Sequence, residues 1–216
     1  YGAALLAEEM EEVVEALIGD SVAQRQEAYE LVMRGILQLP DYLERLIVGH
    51  RDIPLVLLPL LNDLRAIRGQ KLLSENSLFT PDLNTPLPDD VKNAGNGEDS
   101  RAVARKQRHS YQLALLGWFR GKDTEANLDR LRHVLTDLRL AGATDPVRRL
   151  WWAAEGVVAA LRHAWLEPSM ATKLLLGQTD RQIKRLIDDG EEALAADAPR
   201  DLIKNLLFYI ARARDG

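Results

Sequence analysis

The chain has 216 residues, 46% of them hydrophobic and 28% charged, and its 28 Lys and Arg against 33 Asp and Glu give a formal net charge of −5. A chain of this size can bury a real core, and a mildly acidic balance gives no general electrostatic pull toward nucleic acid or anionic lipid. There is no cysteine, which excludes disulfides, thiol catalysis and thiolate metal sites and is in keeping with a cytoplasmic protein.

Helical periodicity runs through almost the whole sequence, and period-two strand patterns are nearly absent. Leu6, Met10, Val13 and Leu17 form a first stripe that ends at Gly19. Ser21 and Gln24 have capping-box spacing for a second helix, which carries Tyr29, Val32, Met33, Ile36 and Leu37. Pro40 is expected to break or kink it. Asp52 and Pro54 mark the next start, followed by Leu57, Leu60, Leu61, Leu64 and Ile67 up to Gly69. Residues 76–98 change texture: Pro86, Pro88, Gly95 and Gly97 lie among polar residues, which reads as a loop or linker.

Helices resume near Asp99. Val103, Tyr111, Ala114, Leu115 and Trp118 share one face, and Leu128, Leu131, Leu135 and Leu138 form the next. Thr144-Asp145-Pro146 is a helix start, and the helix behind it presents Leu150, Trp151, Ala154, Val157, Val158 and Leu161. Further helices hold Ile183, Leu186 and Ile187, then Leu202, Leu206, Phe208, Tyr209 and Ile210. The expected fold is all-α: helical bundles of about nine or ten helices with one long loop. The expected organisation is an N-terminal helical part over 1–75, a linker over 76–98 and a C-terminal bundle over 99–216. The lack of an initiator Met reads as a segment of a longer protein. No apolar run approaches the ~20 residues of a membrane span, so no membrane insertion is expected, and no signal peptide is visible.

Chemistry-bearing patterns are scarce. Arg120-Gly121-Lys122-Asp123-Thr124 lacks the first glycine and the strand of a phosphate loop and reads as a turn. His50, His109, His133 and His163 have no metal-ligand spacing, so neither a metal site nor a cofactor site is assigned. The paired carboxylates Glu8-Glu9, Glu11-Glu12, Asp188-Asp189 and Glu191-Glu192 read as solvated helix faces rather than acid/base pairs. Arg101, Arg105 and Arg108, with Lys106, are candidates for an acidic partner surface, against the plainer reading of a solvated face. Trp118, Trp151, Trp152 and Trp165 read mainly as core, with Trp151 and Trp152 about 100° apart on their helix, so that one indole can face a partner.

Three stretches carry a family resemblance: Tyr1-Gly-Ala-Ala-Leu-Leu-Ala-Glu-Glu-Met-Glu11; Gly35-Ile-Leu-Gln-Leu-Pro-Asp-Tyr-Leu-Glu-Arg45 with Leu57-Leu-Pro-Leu-Leu-Asn-Asp-Leu-Arg65; and Lys173-Leu-Leu-Leu-Gly-Gln-Thr-Asp-Arg-Gln-Ile-Lys184 with Lys204-Asn-Leu-Leu-Phe-Tyr-Ile210. Together they resemble the N-terminal region of the CheA-like hybrid histidine kinase of the type IV pilus (Chp) chemosensory system, and the stand-alone FimL-type pilus regulator is similar but less close. The resemblance implies a cytoplasmic, pole-associated signalling protein of twitching motility, built on histidine-phosphotransfer (Hpt) bundles. Such bundles carry an acceptor His in a His-x-x-Lys-Gly pattern, which this sequence lacks. Aligned on Gly156, Trp152 stands at the acceptor position and Glu155 at the lysine position, which implies a degenerate Hpt-like scaffold without the chemistry.

The leading expectation is therefore a non-catalytic interaction module whose partners are response regulators or polar scaffold proteins of that pathway. The parent protein would be a sensor histidine kinase. An Hpt domain with an unconventional acceptor, His163 first, is one alternative. A structural spacer between signalling domains is another.

Overall fold

The computed structural model describes all residues except 51, 94 and 214–216. Among the described residues it contains helices and no strands, and the chain divides into two compact units, 1–80 and 81–216.

The first unit is built from α1 (Gly2–Ile18), α2 (Arg25–Ile47), a 3-10 turn (Pro54–Leu57), α3 (Leu58–Ala66) and the short α4 (Glu75–Leu78). Its core joins Leu6, Val13 and Leu17 of α1 to Leu57, Leu60, Leu61 and Leu64. The Leu-rich stripe around α3 was plain in the sequence. Three other features of this unit were not. Ser21 makes no capping box; its hydroxyl donates to Ala16 O (3.0 Å), reaching back to the last turn of α1. Pro40 does not break α2, which runs through it. The large apolar residues of α2 also face outward, with Met33 54% and Leu37 68% exposed. The helix buries Ala28, Leu31, Gly35 and Tyr42 instead, and Gly35 leaves the space that Met10 of α1 occupies.

Glu9 is buried beneath two arginines of this unit. Its carboxylate pairs with both Arg65 and Arg68, and Arg68 also pairs with Glu12. The Arg68 and Glu9 side chains are only 7% and 4% exposed. This corrects the reading of Glu8-Glu9 and Glu11-Glu12 as simply solvated pairs.

The second unit contains α5 (Asp89–Lys92), α6 (Ser100–Phe119), α7 (Thr124–Ala141), α8 (Asp145–Arg162), α9 (Met170–Asp189), α10 (Glu191–Ala196) and α11 (Arg200–Arg212). α8 is its axis. Val147, Leu150, Trp151, Ala153, Ala154, Val157, Val158, Ala160 and Leu161 are all buried, and α7 and α11 pack along it while α9 packs on α6. Full burial of each such Val or Leu contributes about 1.5–3 kcal/mol.

The stretch read as a linker over 76–98 holds α4 and α5, and from residue 81 onward it belongs to the second unit. Leu87 and Val91 are buried. Arg148 donates to Lys92 O (2.7 Å) and Arg149 to Thr85 O, while the Asn96 N–H donates to Leu140 O (3.0 Å). Polar sequence concealed this order, because the contacts run through main-chain carbonyls.

Glu191 forms a second polar junction that local sequence did not announce. One oxygen accepts from Ala143 N, Thr144 N and Thr144 Oγ1, and the other from Ser100 Oγ (2.5 Å). It ties the start of α8 to the start of α6.

Tyr111 is fully buried and its hydroxyl donates to Leu176 O (2.9 Å), joining α6 to α9. Burial, with the nearby Asp180 charge, pushes its phenol well above the ordinary value of 10.0. The folded state thus favours the neutral phenol. That stability is complete below pH 10 and is lost as pH rises through the higher folded value. In alkaline titrations followed by tryptophan emission, Tyr111→Phe is expected to flatten the fall in stability above about pH 10; an unchanged slope would assign the fall to other groups.

Candidate interaction surface

The residues singled out by sequence lie at three places in the second unit. The first is a cleft of about 460 Å3 bordered by α5, α7, α8 and α11. Trp152 is half-buried along it, with Val91, Leu140, Leu207 and Ile210 as apolar walls and Arg139 and Glu155 at its edge. Glu155 is not free. Arg139 Nε donates to one oxygen (2.7 Å) and Thr136 Oγ1 to the other (2.8 Å), locking α7 to α8. Gly156 lies where Ile210 of α11 closes on α8: a Cβ there would stand 2.8 Å from Ile210 Cδ1. The glycine that anchored the Hpt-like alignment thus allows two helices to pack closely.

The second place is the turn after α8. His163 is exposed at the helix C-terminus and stacks on Trp165, ring centroids 4.8 Å apart. Ala164 follows with φ 57°, in the left-handed region. An exposed imidazole can accept a phosphoryl group in principle, yet this one sits in a turn, not along a helix.

The third place is α6. Arg101 donates from Nε to Ile187 O (2.6 Å) and from Nη2 to Asp188 O (2.7 Å), capping the C-terminal end of α9, where cations are favoured. Arg108 makes a two-pronged pair with Asp180, both contacts 3.1 Å. Arg105 is exposed and forms no ion pair among the described residues. The candidate basic patch therefore splits into two structural arginines and one open to solvent, a division that linear spacing does not show.

Among the described residues no group of three or more His, Asp or Glu could hold a metal ion, and no helix is long and apolar enough to cross a membrane. His109 on α6 and His133 on α7 are exposed, and so is His50, which follows α2 in the first unit. Trp118 and Trp151 are core residues, while Trp165 is exposed.

Residues 96–216, which span α6 to the end of α11, match the family described as the FimL scaffold protein second domain. The chain belongs to this family. Over 97% of its length it is 29% identical to the scaffold protein FimL of Pseudomonas aeruginosa, and it spans 37% of the length of that relative. No solved structure matches it. The matches thus support the FimL side of the resemblance.

Two glycines of this family domain separate packing from surface. Gly177, inside α9, has nothing within 4 Å of the position a Cβ would take, whereas Gly156 faces Ile210. Glycine inside a helix costs about 1 kcal/mol relative to alanine. Gly177→Ala is expected to raise stability by about 0.5–1 kcal/mol in urea unfolding. Gly156→Ala should gain little or lose stability, because Ile210 must move. Equal gains at both positions would show that the α8–α11 joint is loose.

Proposed function

We propose that this chain is a non-catalytic protein-docking module of a scaffold in type IV pilus regulation, acting in twitching-motility signalling. The observation that carries the reading is the use made of the Hpt-like positions. Glu155 is consumed by Arg139 and Thr136, and Gly156 is covered by Ile210, so two of the three Hpt-like positions are spent on holding α7, α8 and α11 together, and the third, the acceptor position, holds the indole of Trp152. Family membership adds a scaffold relative. The resemblance of the three sequence stretches to the Chp kinase N-terminal region fits a scaffold that shares the kinase's helical framework. On this reading the partners are response regulators or polar scaffold proteins of the pathway, the protein works in the cytoplasm near the cell pole, and the second unit is a degenerate Hpt bundle.

Phosphotransfer through His163 is the second reading, and the exposure of its imidazole favours it. One experiment separates the two. The chain is mixed with the phosphorylated kinase core and cognate phospho-regulators, and label on it is followed with and without His163→Gln. In parallel, a strain lacking the coding segment is complemented with either form. No label, lost twitching on deletion and full rescue by His163→Gln are expected. Label that disappears with His163→Gln would replace docking with phosphotransfer, and unaltered twitching on deletion would remove the pilus scaffold role.

A further inference from the structure

We infer that the outer face of the α6/α9 pair docks an acidic amphipathic helix of a partner protein, an inference that rests on the scaffold reading and gives it a surface. The second unit buries its apolar residues well, and its exposed large ones are concentrated. Leu113, Leu116 and Phe119 follow one another at three-residue spacing on α6, and Met170 and Leu174 stand at four-residue spacing on α9. The register between the helices is fixed by Tyr111 on Leu176 O (2.9 Å), Arg108 on Asp180 (3.1 Å) and Lys173 on Phe119 O (3.5 Å). The helices are therefore antiparallel, and Leu116 lies level with Leu174. Contiguous exposed apolar surface of this kind marks a contact site.

The charge on the same face has one sign. Continuing along α6 from Leu116, the stripe passes His109 and Arg105; along α9 from Leu174 it passes Gly177 and Arg181. The carboxylates of this pair are taken, Asp180 by Arg108, Asp188 by Lys184 and Asp189 by Arg185, while Arg105 and Arg181 form no ion pair among the described residues. A chain of net charge −5 thus keeps on one face a cationic end and a mainly apolar end, where the Lys173 ammonium lies over the Phe119 ring. An occupant that satisfies both carries carboxylates at one end and an apolar stripe at the other.

Gly177 supplies the third observation. It lies inside a helix of 20 residues, and nothing stands within 4 Å of where its Cβ would be. No contact inside the protein requires a glycine there. On the outside it makes a saddle between Leu174 and Arg181, where the axis of a third helix can come close. The stripe from Arg105 to Phe119 is about 21 Å long, fourteen steps of 1.5 Å, which is roughly four turns of the docked helix.

The test is fluorescence anisotropy with the full chain and two labelled synthetic helical peptides of 18 residues. The first has glutamates on one face of its leading half and leucines on the same face of its trailing half. The second has lysine for each glutamate. The acidic peptide is expected to bind at least about tenfold more tightly. Gly177→Trp, which fills open space, and the double change Arg105→Glu with Arg181→Glu should each weaken it by about tenfold or more, with helix content by circular dichroism unchanged. Equal binding of both peptides, or affinity indifferent to Gly177→Trp, would overturn the proposal. So would sedimentation showing a dimer that Gly177→Trp dissolves, since the face would then belong to a second copy. The assay contains no pilus protein. Its failure removes the docking face alone, whereas unaltered twitching on deletion removes the scaffold role alone.

Discussion

Replacing Glu9 with alanine is expected to remove about 3–5 kcal/mol from the first unit. The carboxylate is almost wholly buried, and Arg68 beside it is equally withdrawn from water. Removing the anion leaves the Arg68 guanidinium buried with Glu12 as its remaining charged partner, beside its bond to Leu64 O (3.2 Å), and Glu12 is half exposed. An ion pair of this kind adds little net stability compared with a well-packed apolar replacement, yet breaking one side is costly because the other charge stays in a low dielectric. A second variant checks the cause: Glu9→Ala combined with Arg68→Met should recover a good part of the loss. Urea unfolding by circular dichroism measures both. The four tryptophans fall between 118 and 165, so their emission reports the second unit and separates its transition from that of the first. If Glu9→Ala unfolded at the urea concentration of the unchanged protein, the cluster would have to be solvated in solution.

The second large effect belongs to Trp151. It is fully buried on α8, and Trp151→Ala should cost about 3–5 kcal/mol as a core aromatic truncation. Trp151→Phe should cost distinctly less. No acceptor among the described residues reaches the indole Nε1, and burying a donor without a partner costs about 1–3 kcal/mol. Phenylalanine gives up ring volume but also deletes that N–H, so the two changes oppose one another. Phenylalanine as damaging as alanine would show that the indole nitrogen is satisfied in solution, by an ordered water, for example.

The contrast between α8 and α2 shows what was legible in the sequence. On α8 the largest apolar residues repeat with helical period, and the helix is covered on several sides, so Leu150, Trp151, Val157 and Leu161 were read directly as core. On α2 the same rule points the wrong way. Tyr29, Met33 and Leu37 repeat just as well, but the neighbours pack on Ala28, Leu31 and Gly35. Periodicity finds a stripe; it does not say whether the partner helix lies against that stripe or against smaller residues beside it. Glu9 was hidden for another reason. Its partners lie 56 and 59 residues away, and a carboxylate one step from another on a helix looks solvated until the fold brings those arginines over it. Among the candidate site residues, Arg105 is exposed. Arg101, Arg108 and Glu155 were drawn into contacts 16 to 87 residues distant, a range beyond any local motif.

Arg148 and Arg149 grip residues 81–98 by carbonyl oxygens, at Lys92 and Thr85, and a carbonyl is the same whichever side chain its residue bears. Evolution can therefore rewrite most of that segment without moving it. Drift should concentrate at its polar positions and spare the buried Leu87 and Val91 and the half-buried Leu83. The two arginines have no such freedom, since lysine cannot reproduce the reach and flat fork of a guanidinium. Comparison of relatives should find one of the most changeable stretches of the protein held in place by two of its least changeable side chains.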